Sequence, residues 1–241
     1  MKIQQIYFTF LLILFCSMSF SKENIYLIPG QGSDYRIFKN LTLDTSKFEI
    51  HYLNWILPDK QETMNSFAKK MSAQIDTTQS FSIIGVSLGG MVACEMKKFL
   101  KPNQVIIISS AKSRNELPGQ YKFQKYIPLN KITPKKLIKK SALFLQPRVE
   151  KDRKLEDETC DSMLNDKDPV FLKRTINLIV NWDSHEIDST VVHIHGDNDN
   201  TIPIKNVSCN YTVKGGSHMM ALTKPKEVSE ILNKILRNDP N

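Results

Sequence analysis

Short runs rich in hydrophobic residues alternate along this chain with longer segments in which hydrophobic residues recur every three or four positions. The first pattern is typical of strands, several of them buried on both faces, and the second of helices that bury one face. The runs predict six strands, at residues 25–28, 49–53, 81–86, 105–109, 191–194 and 210–213. We therefore expect an α/β fold with a mostly parallel central sheet of about six strands flanked by helices.

The segments between the predicted strands supply the helices. Helical spacing predicts helices over residues 64–75, 88–100 and 226–236. The interval 111–188 interrupts the alternation of strands and helices with a long, mixed helical pattern. Two pairs in it, Thr133-Pro134 and Asp168-Pro169, place proline after an N-cap residue, which predicts helices over 135–145 and 170–182. We therefore expect a single α/β domain that carries a helical insertion at 111–188.

The segment from Gly85 to Gly89 reads Gly-Val-Ser-Leu-Gly and lies between a predicted strand and a predicted helix. Glycines two residues to either side of Ser87 let the strand and the helix approach closely enough for a strained turn. Such a turn holds the serine hydroxyl clear of the backbone. The pattern Gly-x-Ser-x-Gly is common by chance, so the strand and the helix around it are what favour a nucleophile over an ordinary glycine turn.

A serine hydroxyl needs a base to accept its proton and usually a carboxylate to orient that base. Both follow downstream at the ends of predicted strands, where a parallel sheet collects its functional groups. The order Ser87, Asp199, His218 predicts a catalytic triad, and Asp197 is the second candidate for the acid. Only nineteen residues separate Asp199 from His218, which leaves room for one strand and no full helix between them.

Four pieces in this order resemble the α/β-hydrolase superfamily. They are the Ile-Pro-Gly-Gln-Gly stretch at 28–32, the turn at Ser87, the stretch at 195–203 that begins with His-Gly, contains Asp199 and ends with proline, and Gly-Ser-His-Met around His218. The similarity covers nearly the whole chain after residue 21. It implies an oxyanion hole formed by the backbone amides of Gln31 and Leu88.

The resemblance also implies an activity and a role for the insertion. It implies a serine hydrolase that cleaves a small-molecule ester or a lipid, of the carboxylesterase or lysophospholipase type, without a cofactor. The insertion would be a helical lid. Its candidates for contact with substrate are Phe123, Phe144, Phe171 and Trp182, although most of them are expected to be ordinary core residues. A peptidase or amidase of the same superfamily, and a non-catalytic binding protein with this fold, remain as alternatives.

The amino terminus has the pattern of a signal peptide. Lys2 precedes a hydrophobic stretch of about ten residues, and small residues lie three positions and one position before Lys22. We expect cleavage after Ser21 and an exported protein, periplasmic or secreted, in which residues 22–241 form the mature domain. Lipid attachment to Cys16 is the alternative, but the bulky Phe15 before it disfavours that processing.

The chain carries a formal net charge of +8, of which the proposed signal peptide contributes one lysine and no acid. Five lysines cluster in the insertion, Lys131, Lys135, Lys136, Lys139 and Lys140. We interpret them as a solvated helix face, with weak contact to an anionic membrane surface as the alternative. No nucleic-acid-binding motif accompanies the positive charge, so nucleic acid is not an expected partner.

Histidines and cysteines give no sign of a metal centre. His193 and His195 share one face of a predicted strand, but no third ligand lies at a suitable spacing. The cysteines that remain after residue 21, at 94, 160 and 209, form no zinc or disulfide pattern. No metal site is therefore expected.

Overall fold

The computed structural model of the chain describes residues 22–124 and 133–237. The signal peptide proposed for residues 1–21, with Cys16, lies outside these described residues, and so does Lys131 of the lysine cluster. Among the described residues, no helix is long and hydrophobic enough to cross a bilayer.

Six strands form one sheet, and every neighbouring pair in it is parallel. The strands are β1 Glu23–Ile28, β2 Phe48–Tyr52, β3 Phe81–Val86, β4 Val105–Ile108, β5 Val192–Gly196 and β6 Tyr211–Val213. Their order across the sheet is β2-β1-β3-β4-β5-β6. The predicted α/β class and the six-stranded parallel sheet are confirmed, with strand ends that differ from the prediction by one or two residues.

Eight α-helices accompany the sheet in the described part of the chain. They are α1 Met64–Ser72, α2 Leu88–Lys97, α3 Gly119–Gln124, α4 Lys135–Val149, α5 Asp157–Asn165, α6 Pro169–Val180, α7 Met220–Thr223 and α8 Pro225–Leu236. Helices α3 to α6 all lie between β4 and β5. The interval that the sequence marks as a helical insertion therefore contains four helices in its described part.

Helices α1 and α2 end three residues before their predicted ends, and the predicted end of α4 was also wrong. The helix predicted to stop at residue 145 continues through Pro147 to Val149. Proline removes one backbone hydrogen bond, but the turn around it persists, because the N–H of Glu150 still donates to the carbonyl of Gln146 at 2.9 Å. This continuation carries the chain as far as Glu150, which becomes important at the candidate site.

Both faces of the sheet are buried. Successive residues of a strand point to opposite faces, so in β1 Ile25 and Leu27 belong to one hydrophobic core and Tyr26 and Ile28 to the other. The first core also contains side chains of α8, and the second contains side chains of α1 and α2. A sheet that is covered on both sides leaves its strand ends as the place for polar chemistry.

Candidate active site

Ser87 lies in the turn between β3 and α2 and has an unusual backbone conformation. Its φ is 51° and its ψ is −119°, a region that residues with a side chain rarely adopt. Two hydrogen bonds hold it there. The N–H of Ser87 donates to the carbonyl of Ile108 at 3.0 Å, and the hydroxyl of Ser110 donates to the carbonyl of Ser87 at 2.6 Å. The end of β4 and the segment after it thus fix the turn. The sequence did not indicate this role of Ser110.

The glycines around Ser87 are needed for close approach of the backbone. A Cβ atom on Gly89 would lie 2.2 Å from the carbonyl oxygen of Ile28, and one on Gly85 would lie 2.4 Å from the carbonyl oxygen of Gly89. Real Cβ atoms do not come so close to backbone oxygens. Helix α2 can therefore begin directly against the ends of β1 and β3 only because both positions lack a side chain.

Ser87, His218 and Asp199 form a continuous hydrogen-bonded chain. Ser87 Oγ lies 2.9 Å from His218 Nε2, and His218 Nδ1 lies 2.8 Å from Asp199 Oδ2. An ionised carboxylate can only accept hydrogen bonds, so Nδ1 carries the imidazole proton. The other nitrogen, Nε2, is then free to accept a hydrogen bond from the serine hydroxyl. The loops after β3, β5 and β6 therefore bring the three predicted residues together.

Asp199 is held as a carboxylate. Its side chain is fully buried, and Oδ1 accepts hydrogen bonds from the N–H groups of Thr201 at 2.9 Å and Ile202 at 2.7 Å. Burial alone would raise the pKa of this carboxyl, but the charge and hydrogen bond of His218, with the N–H of Ile202, hold the pKa below its usual value. The group is negatively charged at neutral pH.

Asp197, the second candidate for the acid, has a different environment. It is exposed, and its Oδ1 accepts a hydrogen bond from the N–H of Gly215 at 2.6 Å. This bond joins the loop after β5 to the loop that leads to His218. Of the two aspartates, Asp199 is the one bonded to the imidazole.

The imidazole of His218 is more basic than an ordinary histidine. Burial lowers its pKa, but the charge of Asp199, the hydrogen bond to Asp199 and the charge of Glu150 together raise the pKa above its usual value. A raised pKa favours proton uptake from the serine.

A third carboxylate, that of Glu150, was not predicted to lie at this site. Glu150 follows α4 in the insertion and is only 1% exposed. Its Oε2 accepts a hydrogen bond from the backbone N–H of His218 at 3.0 Å, and its Oε1 accepts one from the hydroxyl of Thr201 at 2.7 Å. No local motif signals this contact, because 68 residues separate the two partners of the first bond.

The two residues of the expected oxyanion hole lie beside Ser87. Leu88 is the first residue of α2, so its N–H has no partner within the helix. Gln31 lies in the turn after β1 and lines the space in front of Ser87. Its side chain is engaged with α6, because Nε2 donates to the carbonyl of Leu172 at 3.1 Å and to Thr175 Oγ1 at 2.8 Å. The backbone amide of Gln31 is therefore the group that can take the expected role.

Two small cavities flank Ser87. The larger has a volume of about 130 Å³, and the smaller a volume of about 40 Å³. Both are lined by Gln31, Gln146 and His218 in addition to Ser87. The larger cavity is completed by Met91, Leu117, Tyr121, Glu150, Ile179, Thr201 and Ile202. Part of the wall of the larger cavity is polar, because Glu150, Thr201 and the two glutamines contribute to it.

None of the four aromatic residues named as candidates for contact with substrate lines these cavities, and two of them, Phe171 and Trp182, are core residues, as was expected for most of the four. Phe123 and Phe144 are exposed. Phe171 packs against the ring of Trp55, with a distance of 5.7 Å between the ring centroids. Trp182 is buried, and its indole N–H donates to Glu95 Oε1 at 2.8 Å. The helices of the insertion turn these side chains towards solvent or towards the core, not towards Ser87.

His193 and His195 form a fully buried pair behind Asp199. His195 Nε2 donates to the carbonyl of Ile202 at 2.8 Å, so its Nδ1 must accept from His193 Nε2, 3.0 Å away. Burial lowers the pKa of His193 to about 3, which keeps the ring neutral. Across residues 22–124 and 133–237, no group of three or more side chains is arranged to hold a metal ion.

No family model matches the sequence, and no curated protein matches it. Solved structures do match the fold over nearly all of the chain. A malate-bound esterase from Thermogutta terrifontis has 13% sequence identity and a TM-score of 0.65, and the match covers 90% of each chain. An esterase from Exiguobacterium antarcticum has 11% identity and a TM-score of 0.64, with coverage of 90% of this chain and 92% of the other.

A third similar structure is the enol-lactonase from Burkholderia xenovorans LB400. It has 11% identity and a TM-score of 0.71, and the match covers 92% of this chain and 94% of the lactonase. Together with the parallel sheet and the turn at Ser87, these matches identify the fold. The chain has the α/β-hydrolase fold, as the resemblance of its sequence implied.

Proposed function

We propose that the protein is a serine hydrolase that cleaves carboxylic esters, with Ser87 as nucleophile, His218 as general base and Asp199 as the acid. The observation that carries the proposal is the unbroken chain from Ser87 Oγ to His218 Nε2 at 2.9 Å and from His218 Nδ1 to Asp199 Oδ2 at 2.8 Å. This arrangement meets the geometric requirement for an activated serine.

The proposed reaction has two halves. His218 Nε2 accepts the proton of Ser87 while Oγ attacks the ester carbonyl, and Asp199 stabilises the imidazolium that forms. The backbone amides of Gln31 and Leu88 bind the developing oxyanion. The imidazolium then gives its proton to the departing alcohol, which leaves an acyl-serine. Water repeats the sequence with the same base, so the acid is released and the serine is restored without a cofactor.

The dimensions of the cavities support a small acyl group. The larger cavity beside Ser87 has a volume of only about 130 Å³. Pockets for drug-sized ligands are larger, at about 300–1,000 Å³. A carboxylesterase acting on short acyl groups is therefore favoured over a lysophospholipase. Two of the similar structures are esterases and the third is an enol-lactonase, which supports an ester as the bond that is cleaved.

Hydrolysis of p-nitrophenyl esters tests the proposal. We expect acetate to be hydrolysed faster than butyrate, and laurate hardly at all, because the acyl chain must fit the cavity beside Ser87. Ser87→Ala removes the nucleophile and should lower kcat by several orders of magnitude, about 10⁶-fold where a triad acts as a unit. Near-normal hydrolysis by Ser87→Ala would overturn the proposal. No hydrolysis by the intact protein would favour the alternative of a non-catalytic binding protein.

We further propose that residues 1–21 are a signal peptide and that the mature protein is exported. The charged start, the short hydrophobic stretch and the small residues before Lys22 support this proposal. Expression of the full chain in a bacterial host, followed by intact-mass measurement, should give a product that begins at Lys22. A product that keeps residues 1–21 would contradict it.

We also propose, as the alternative to a merely solvated helix face, that the insertion makes weak contact with an anionic membrane surface. Leu137, Phe144 and Leu145 of α4 are about half exposed, and Lys140 is exposed on the same helix. Sedimentation with vesicles of phosphatidylglycerol or of phosphatidylcholine tests the contact. Binding to the anionic vesicles alone supports it, and equal recovery in the supernatant with both contradicts it.

A further inference from the structure

Hydrogen bonds join the insertion to the candidate site on two sides. On one side, the side chain of Gln31 bonds to Leu172 and Thr175 of α6. On the other side, the end of α4 meets the two loops that carry Asp199 and His218. Most of the hydrogen bonds on this second side are accepted by one buried carboxylate, that of Glu150.

Glu150 is 1% exposed, and burial of an ionised carboxylate costs several kcal/mol unless hydrogen bonds compensate for the lost water. Its two oxygens obtain these bonds from one residue of each loop, Thr201 at 2.7 Å and the backbone N–H of His218 at 3.0 Å. The preceding residue, Val149, accepts a further hydrogen bond from the side chain of Asn200 at 3.1 Å. The end of α4 is therefore docked on both loops.

The bases of the two loops are also joined without the insertion. Asp197 bonds to the N–H of Gly215, and the N–H of Asn198 donates to the carbonyl of Gly216 at 2.9 Å. Glu150 contacts the second loop away from its base, because it accepts a hydrogen bond from the backbone N–H of His218 itself. The bases of the loops set their spacing, and the contact with Glu150 sets the position of the imidazole.

We propose that Glu150 is a positioning residue for the triad: a carboxylate from the insertion that fixes the backbone of His218 against the loop of Asp199. This inference rests on the proposed function, because it assigns Glu150 a part in the same reaction. Docking of the insertion and assembly of the triad are then one event. A displacement of about 1 Å at a catalytic group can cost about 100-fold in rate, so the loss of this contact has a measurable consequence.

The charge of Glu150 gives a second, separate readout. In the described part of the chain, the titratable groups around the His218 imidazole are Asp199 in front of Nδ1, His195 behind Asp199, Tyr121 of α3 across the larger cavity, Cys160 of α5 across the smaller one, and Glu150. Glu150 raises the pKa of His218, so its neutralisation should lower that pKa. The base must be unprotonated to act, and the acid limb of the kcat/KM profile should therefore move to lower pH.

Two substitutions of Glu150 separate the effect of its hydrogen bonds from the effect of its charge. In Glu150→Gln, the amide oxygen can accept from the N–H of His218, and the amide N–H can donate to the hydroxyl of Thr201, which rotates to accept it. Both hydrogen bonds survive while the charge is lost. Glu150→Ala removes both bonds and leaves the N–H of His218 without its acceptor.

Glu156 supplies a matched control. Glu156 also lies in the insertion and joins the insertion to the rest of the domain. It forms an ion pair with Lys39 at 2.7 Å and accepts a hydrogen bond from Asn40 at 2.9 Å. Its bonds go to neither of the loops that carry Asp199 and His218. Glu156→Ala thus weakens the docking of the insertion without a direct effect on the triad.

Hydrolysis of p-nitrophenyl acetate by the mature chain is measured from about pH 5 to about pH 9 for each variant, with thermal unfolding as the control for folding. We expect Glu150→Ala to lower kcat by about 10–100-fold with little change in KM. We expect Glu150→Gln to keep kcat within about threefold at high pH and to shift the acid limb downwards, and Glu156→Ala to behave as the unmodified protein.

Three results would overturn the inference: an unchanged kcat in Glu150→Ala, an equal loss in Glu156→Ala, or an unshifted acid limb in Glu150→Gln. If Glu150→Ala does not fold, the position of the acid limb in Glu150→Gln decides whether Glu150 acts on His218. Absence of hydrolysis by the unmodified protein would count against the proposed function instead. In that case NMR titration of the His218 imidazole decides on Glu150, because a lower pKa in Glu150→Gln supports its role and an equal pKa contradicts it.

Discussion

Two aspartates lie two residues apart in the loop after β5, and their surroundings assign them different tasks. Asp199 is buried, bonded to His218 and held ionised by N–H donors. Asp197 is exposed and bonds to a backbone N–H of the neighbouring loop. The sequence could offer both as the acid, and their burial and partners distinguish them.

Replacement of each aspartate by asparagine tests this distinction. Asp199→Asn removes the charge that stabilises the imidazolium and allows the wrong tautomer of His218, so we expect kcat to fall about 10⁴-fold. Asp197→Asn keeps an oxygen that can accept from Gly215 and should leave kcat within about threefold. The rates of p-nitrophenyl acetate hydrolysis measure both. Equal losses in the two variants would argue against Asp199 as the acid.

At the residue scale, the sequence predicted what local motifs encode. Ser87, Asp199 and His218 each follow a strand and lie in short, distinctive stretches, so their meeting could be expected from the parallel sheet. Glu150 and the side chain of Gln31 could not be predicted in this way. Their contacts join positions 68 and 141 residues apart, respectively, and depend on how the insertion docks.

At the scale of elements, the approach of α2 to the sheet depends on Gly89. A Cβ atom there would overlap the carbonyl of Ile28, so we expect Gly89→Ala to lower the free energy of unfolding by about 3 kcal/mol. Gly119, the first residue of α3, is the control, because a Cβ atom there meets nothing within 4 Å. Gly119→Ala should change stability by less than about 1 kcal/mol. Urea unfolding measures both, and similar values for the two variants would contradict this account.

The elements themselves were largely predictable, since buried strands and amphipathic helices differ in hydrophobic period. Their ends were less so. Ser109 was expected to continue β4, but it has a φ of 47° and leaves the strand. Likewise, α4 continues through Pro147, where a helix end was expected. For Ser109, tertiary contacts override the local preference of the residue, because its N–H donates to the carbonyl of Ile194 on the neighbouring strand at 3.1 Å.

At the scale of the whole molecule, the buried histidine pair should make stability depend on pH. His193 is neutral when folded, with a pKa of about 3, but it takes up a proton near pH 6.5 when unfolded. This contribution to stability is present above about pH 6.5 and is lost progressively as the pH falls towards the folded pKa.

A variant without this ionisable group tests the effect. Between about pH 7 and about pH 5, the unmodified protein should lose about 2 kcal/mol more of its free energy of unfolding than His193→Gln does. The amide of the variant can still donate to His195 Nδ1. Urea unfolding at the two pH values gives the difference, and equal losses in the two proteins would show that His193 titrates normally.

The most direct test of the central claim, an activated Ser87, is the intact mass of the chain from Lys22 after treatment with a fluorophosphonate. We predict a single adduct on the unmodified protein and none on Ser87→Ala, because only a serine whose proton passes to His218 attacks the phosphorus readily. A folded protein that forms no adduct, or an adduct that persists in Ser87→Ala, would contradict the account.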